Sequence, residues 1–279
     1  MYLSPFWRDL MVKFNRYKNG VKRAITLSYD DGQKQDVRLV EIFNRCGMKA
    51  TFHLNGERYA NMTDEQLEEV AKIYEGHEVS CHTFHHPHLE TLPMQIGTKD
   101  IADDKAMLER MCGYIVRGMS YPFGTYNDDV INAMKAVGME YSRTVNSTNS
   151  FTIPKDFMVW NPTCHHNADL LGLLERFYSV SWIDLPLFYV WGHSYEFDRN
   201  NNWEKIEEFC EKASGHEDVW YATNIELVDY INALKQLKFS WDRRLAYNPT
   251  ATDVWIQVNN EAVKIGAGET VDLGDAATK

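Results

Sequence analysis

The chain has 279 residues, 44% apolar and 25% charged, which is enough to bury a sizeable core as one large domain. A formal net charge of -11 argues against nucleic acid or an anionic membrane surface as the main partner. The 15 Tyr, 8 Trp and 13 Phe supply enough rings to line a groove for a sugar, even with most of them in the core.

No apolar run reaches the ~18 residues a membrane helix needs, so no membrane span is expected. The start, "MYLSPFWRDLMVKFNRYKNG", lacks a basic segment followed by an apolar stretch and a cleavage site, so it does not read as a signal peptide. The first strand is expected in "RAITLSY", followed by a helix in "QDVRLVEIFNRCG" that Gly47 closes. "KATFHLNG" is again strand-like. "TDEQLEEVAKIYEG" reads as a helix capped by Thr63 and ended at Gly76. "HEVSCHTF" is a third strand, residues 98–112 a third helix, and "GMSYPFG" a strand running into a loop. "NDDVINAMKAVG" is a helix with Asn127 as its cap and Gly138 as its stop. "MEYSRTV", "DLPLFYVWGHS" and "VWYATN" are further strands, with helices near 167–178, 203–213 and 225–237. Strands alternating with helices of this length predict βαβ units and a parallel sheet, either open and doubly wound or closed as a barrel. Beyond about residue 240, "TDVWIQVNNEAVKIGAGETVDLG" alternates around Asn-Asn and Gly-Ala-Gly-Glu. It predicts short hairpins in an extension (241–279) packed on the main fold (1–240). Cys46, Cys81, Cys112, Cys164 and Cys210 are odd in number and scattered. They predict buried thiols rather than a disulfide framework, and a reducing, cytoplasmic setting.

Parallel α/β folds place their chemistry at the C-terminal ends of the strands. The first strand ends in Asp30-Asp31-Gly32, which could be ordinary turn chemistry. The third ends in "HTFHHPH", where His82, His85, His86 and His88 all offer nitrogen, and a later one ends at His193. Two imidazoles and a carboxylate make a facial set for a divalent metal, with open positions for water and substrate. Spacing alone does not choose the histidine pair.

"SYDDG", "HTFHH" and "YPFG" stand in the order and spacing of the polysaccharide deacetylase family, NodB-type or carbohydrate esterase family 4, which this chain resembles over roughly residues 22–235. Tyr29 replaces the Phe of the first motif; His82, Thr83 and His86 match the second; "SYPFG" corresponds to the third; "YVWGH" fits the fifth. The resemblance implies a distorted (β/α) barrel of the α/β class with a small C-terminal β appendage. It implies one divalent metal, zinc by default with cobalt, nickel or manganese as alternatives, on Asp31, His82 and His86. It assigns Asp30 as general base toward water, His193 as general acid toward the leaving amine, and a backbone N–H near Phe123 to the oxyanion. Tyr121 and Trp191 are expected at the substrate groove.

Two positions depart from the family pattern. Ser120 stands where the third motif carries the Arg that orients the catalytic aspartate, and no Asp-x-x-Asp-Trp fourth motif is found near "NPTCHHNADL". Arg143 is a candidate to reach Asp30, and Glu196 or Asp198 to tune His193. His165 and His166 read by default as a polar loop, with substrate contact as second choice and a second metal site as a further possibility. The expected activity is removal of acetyl groups from an N-acetylated sugar or glycan. The alternatives are an O-acetyl xylan-type esterase, an amidohydrolase on a small amide, or a weakened carbohydrate-binding homologue.

Overall fold

The computed structural model describes residues 10–276; positions 1–9 and 277–279 lie outside the described residues. Eight short strands form the central sheet: β1 (Arg23–Asp30), β2 (Ala50–Leu54), β3 (Glu78–Cys81), β4 (Gly118–Ser120), β5 (Tyr141–Arg143), β6 (Cys164–His165), β7 (Leu187–Gly192) and β8 (Val219–Tyr221). Seven lie in the order β5-β4-β3-β2-β1-β7-β6, all parallel, curling into a partial barrel. β1 pairs with β7 along one edge. Its other edge is shared by β8, which pairs residues 23–25, and β2, which pairs residues 27–30.

The sequence explains β1's central place. Residues Ala24 to Asp30 are all buried, so both faces are covered and the run is nearly unbroken in apolar character, as parallel strands between helices require. The covering helices are α1 (Asp36–Arg45), α2 (Asp64–Ile73), α3 (Met94–Cys112), α4 (Asp128–Ala136), α5 (Leu170–Ser179), α6 (Tyr195–Asn200), α7 (Trp203–Ala213) and α8 (Asn224–Gln236). Their caps are those the sequence signals. Thr63 closes a capping box with Gln66, Asn127 accepts from the Val130 N–H, and Gly47, Gly76 and Gly138 take left-handed φ of 64°, 84° and 83°.

Some bounds differ from expectation. α3 starts at Met94 rather than 98, because the turn at Leu89–Thr91 and Pro93 launch it directly. β3 stops at Cys81, since Thr83 turns to φ 67°. The stretch read as a polar loop at His165 is instead the two-residue strand β6, and "YEFDRN" forms α6.

In the C-terminal part, Val254–Val258 and Glu261–Ile265 form a hairpin whose turn residues, Asn259 and Asn260, both have positive φ. Val12–Lys13 adds a third strand to it. Val254, Ile256 and Val258 join Tyr17, Leu187, Tyr189, Leu227 and Ile231 in one apolar cluster, so this hairpin packs directly on α8 and the sheet. All five cysteines are free; Cys81, Cys164 and Cys210 are buried and Cys46 and Cys112 partly so. Among the described residues, no helix is long and apolar enough to cross a membrane.

Candidate active site

The ends of six neighbouring strands bring the predicted residues together. Asp30 closes β1, and Asp31 follows with a left-handed φ of 79° that its own backbone bond to the His53 carbonyl (2.9 Å) holds. Thr83 (φ 67°), His86 (φ 56°) and Phe123 (φ 57°) are likewise left-handed without being glycine, a concentration of backbone strain that marks functional loops. Gly32 has φ 60°, and a Cβ there would lie 2.6 Å from the Tyr59 hydroxyl, so this turn takes only glycine.

The histidine loop is fixed from behind. The His82 N–H lies 2.9 Å from both the Leu54 carbonyl and the Asp104 carboxylate, while Asn55 donates to the carbonyls of His82 (2.8 Å) and Thr83 (3.0 Å). His82 Nδ1 lies 2.9 Å from the Ser120 carbonyl, which can only accept. The proton therefore belongs on Nδ1, and the lone pair of Nε2 faces outward. Nε2 of His82 and of His86 are 3.1 Å apart, and Asp31 Oδ1 lies 3.7 and 3.9 Å from them. Asp31, His82 and His86 are thus a donor set of one carboxylate and two imidazoles that fits a divalent cation. His85 is turned away: its Nδ1 binds Asp100 at 2.5 Å, which raises its pKa. His88 stacks on the Phe123 ring at 3.9 Å.

Asp30 is buried beside this set, and the Arg143 guanidinium lies directly on its Oδ2. Burial alone would raise its pKa, but Arg143, followed by His82 and His53, holds the carboxyl well below the usual range, so it is ionised. Sheet register explains how Arg143 gets there. Ser120 at the end of β4 pairs directly with Arg143 on β5. The small Ser120 side chain, 3.2 Å from Asp30 Oδ1 and 2.7 Å from His82 Nδ1, leaves room for the guanidinium of its neighbour. A cation is thereby delivered to Asp30 from one strand further along. Arg143 also lies over the Trp191 ring at 4.2 Å.

His193 lies at the end of β7, its Nδ1 3.6 Å from Glu196 Oε2. Burial pulls its pKa down, but Glu196, Asp30 and Asp31 outweigh this and raise it. His165 and His166 converge on the same Glu196 oxygen, each Nε2 at 3.0 Å. Together these contacts hold the Glu196 carboxyl well below the usual range despite burial that would raise it.

Three expectations change. Asp198 does not face His193: it accepts from Trp203 Nε1 and Gln35 Nε2, both at 2.8 Å. The Tyr121 side chain is buried, its hydroxyl donating to the Met158 carbonyl at 2.7 Å and its ring stacked on Tyr126, so the ring lies in the core and not at a groove. His166 is fully buried instead of lying in a solvated loop. Sequence reasoning also missed His53, fully buried opposite Asp30 in the β1–β2 register, with burial pushing its pKa down to about 3. The available signal was one ionisable residue within the buried run "ATFHL".

Residues 17–142 match the sequence model of the family described as Polysaccharide deacetylase. YxkH of Bacillus subtilis, named as polysaccharide deacetylase-like, is 27% identical over 146 residues, 51% of this chain and 51% of that protein, so the chain spans about half the length of this relative. Among solved structures, a polysaccharide deacetylase-like protein from Mycobacterium smegmatis superposes with a TM-score of 0.60 at 15% identity, covering 78% of this chain and 93% of the other. A carbohydrate esterase family 4 pseudoenzyme from Bacillus anthracis gives 0.50 at 20% identity, covering 74% and 65%. Residues 17–142 are thus similar to the polysaccharide deacetylase family, and the chain has the curled parallel α/β fold of the solved carbohydrate esterase family 4 structures.

Proposed function

We propose that this chain is a metal-dependent hydrolase that removes acetyl groups from an acetylated carbohydrate, with N-acetylated sugars as the preferred class. The observation that carries the reading is the buried, ionised Asp30, locked by Arg143 beside the Asp31–His82–His86 donor set. A divalent cation bound there would lower the pKa of water and polarise the acetyl carbonyl. Asp31, His82 and His86 hold it, and the Ser120 carbonyl keeps His82 in the ligating tautomer. Asp30, fixed by Arg143 and Ser120, takes the proton of the attacking water. The Phe123 N–H is our candidate for the oxyanion. His193, partly exposed at the mouth and next to Glu196, gives its proton to the leaving amine. A leaving amine must be protonated as it departs, and His193 supplies the general acid that an N-acetyl substrate requires.

Acetate release from N-acetyl and O-acetyl oligosaccharides, with and without chelator, tests the reading. Chelator-sensitive release from the N-acetyl substrate supports it; release from O-acetyl substrates alone would replace the amide preference by an esterase. Asp30→Asn should keep the metal and lose a factor on the order of 100 or more in kcat, the scale of losing a general base.

A further inference from the structure

Two loops carry the opposed chemistry of the site. Residues 31–35 run from β1 into α1 and include Asp31, while His193 and Ser194 run from β7 into α6. A buried carboxyl joins them. Asp36, the first residue of α1, is 1% exposed, and the fully buried Ser194 donates its hydroxyl to Asp36 Oδ1 at 2.5 Å. Tyr74, just past α2, donates its hydroxyl to Asp36 Oδ2 at 3.0 Å. Both carboxylate oxygens are thus taken by other elements. Burying a carboxyl is costly unless its hydrogen bonds are made, so an aspartate kept at this position calls for a reason.

His193 supplies one, because little else holds it. Its Nδ1 stands 3.6 Å from Glu196 Oε2, too far for a hydrogen bond, and among the described residues that nitrogen has no hydrogen-bond partner. Gly192 before it brings no side chain, and none fits: a Cβ would lie 2.1 Å from His166 Nδ1. Ser194 directly follows His193, and its hydroxyl fastens this segment to α1. A second link follows the same line at the surface, where Gln35 Nε2 donates to Asp198 Oδ2 at 2.8 Å.

We propose that Asp36 is a positioning residue for His193: by holding Ser194 it fixes the distance of the imidazole from the Asp31–His82–His86 set. The inference rests on the general-acid role given to His193 above. A displacement of about 1 Å at a reacting group can cost on the order of 100-fold in rate. Here the loss falls on substrates whose leaving group must be protonated, and spares those whose leaving group departs as an anion.

The test compares acetate release from an N-acetyl oligosaccharide with hydrolysis of para-nitrophenyl acetate, an activated ester, both on the metal-loaded full chain. A variant that is merely less folded loses both activities by the same factor, so their ratio reads the placement of His193. Ser194→Ala and Asp36→Ala should each lower kcat on the amide at least about tenfold more than on the ester, with metal content unchanged. Asp36→Asn, whose amide oxygen still accepts from Ser194, should recover much of the ratio. An unchanged ratio in Ser194→Ala or in Asp36→Ala overturns the proposal, and so does an Asp36→Asn no better than Asp36→Ala. Loss of metal in Ser194→Ala overturns it too, by placing the effect on Asp31. His193→Ala separates the tether from the reading it rests on. If that variant loses amide and ester activity alike, the general-acid role fails. The tether is then judged by the proton–carbon NMR resonance of the His193 ring, which should shift in Ser194→Ala; a resonance that stays in place overturns it.

Discussion

At the scale of single residues, the contact that sets the site is Arg143 on Asp30. Both side chains are buried, so removing one leaves an uncompensated charge. Arg143→Met should destabilise by about 3–5 kcal/mol, read from the denaturant midpoint, and should lower kcat as Asp30 loses its orientation. Arg143→Lys keeps the charge but not the planar fork, so it should recover part of both. A midpoint for Arg143→Met equal to that of the wild type would show that the pair stabilises nothing. The histidines give a second comparison. His82→Ala removes one of three donors and should empty the Asp31–His82–His86 set, while His85→Ala, whose Nδ1 meets Asp100 outside that set, should leave its metal content unchanged. The motif residues were legible because Asp30-Asp31 and the histidine run concentrate chemistry at strand ends. His53 was not, because a single imidazole inside a strand has no pattern of its own. Nor was the Glu196 cluster, whose partners come from two different strand ends and meet only through tertiary packing.

At the scale of elements, helices with strong caps were readable, and so were the three-residue strands β4, β5 and β8, whereas the two-residue β6 was not. Thr63, Asn127 and the terminal glycines place helix ends by local chemistry that owes little to the rest of the fold. β6 has two residues, too few for any alternation to register, and exists because β7 offers it an edge. The cap of α8 gives a test at this scale. The Thr223 side chain accepts from the Glu226 N–H and the Glu226 side chain answers to the Thr223 N–H, so Thr223→Ala should cost about 1 kcal/mol in chemical denaturation. Because Asn224, the first residue of α8, also donates its N–H to Thr51 on β2 at 2.9 Å, the same change should loosen the seating of α8 on the sheet. Faster amide exchange throughout α8 would report this, whereas exchange confined to its first turn would show a purely local cap.

At the scale of the whole molecule, Glu78 links β3, β5, β2 and α8. It accepts from Tyr141 OH (2.8 Å), Thr51 Oγ1 (2.9 Å) and the Ile225 N–H (2.9 Å). Burial outweighs these donors and pushes its pKa from 4.5 up to about 7. A carboxyl whose folded pKa lies above its unfolded one contributes stability that is complete below the unfolded value and is lost as pH rises through the folded value. Stability should therefore fall between about pH 5 and pH 8 by up to about 3 kcal/mol from this group, at about 1.4 kcal/mol per pKa unit. Glu78→Gln, which can still accept from Thr51 and Ile225 through its amide oxygen, should flatten that fall. Urea midpoints at the two pH values measure it, and an unchanged slope would assign the loss to other groups. The parallel sheet followed from alternation of strands and helices; this cross-sheet network did not, since it depends on register.

The pairing of Ser120 with Arg143 makes these two positions inherit each other's history. A lineage carrying arginine at the first has no space for a second guanidinium from the adjoining strand, and one carrying arginine at the second tolerates only a small neighbour. Each exchange alone should be costly: Ser120→Arg would crowd two cations onto one aspartate, and Arg143→Ser would leave that aspartate bare. The two together, Ser120→Arg with Arg143→Ser, would restore a single cation from the neighbouring strand. The passage between the two arrangements is therefore a case of reciprocal epistasis, and relatives should sort into two groups at these columns with few mixed genotypes between them.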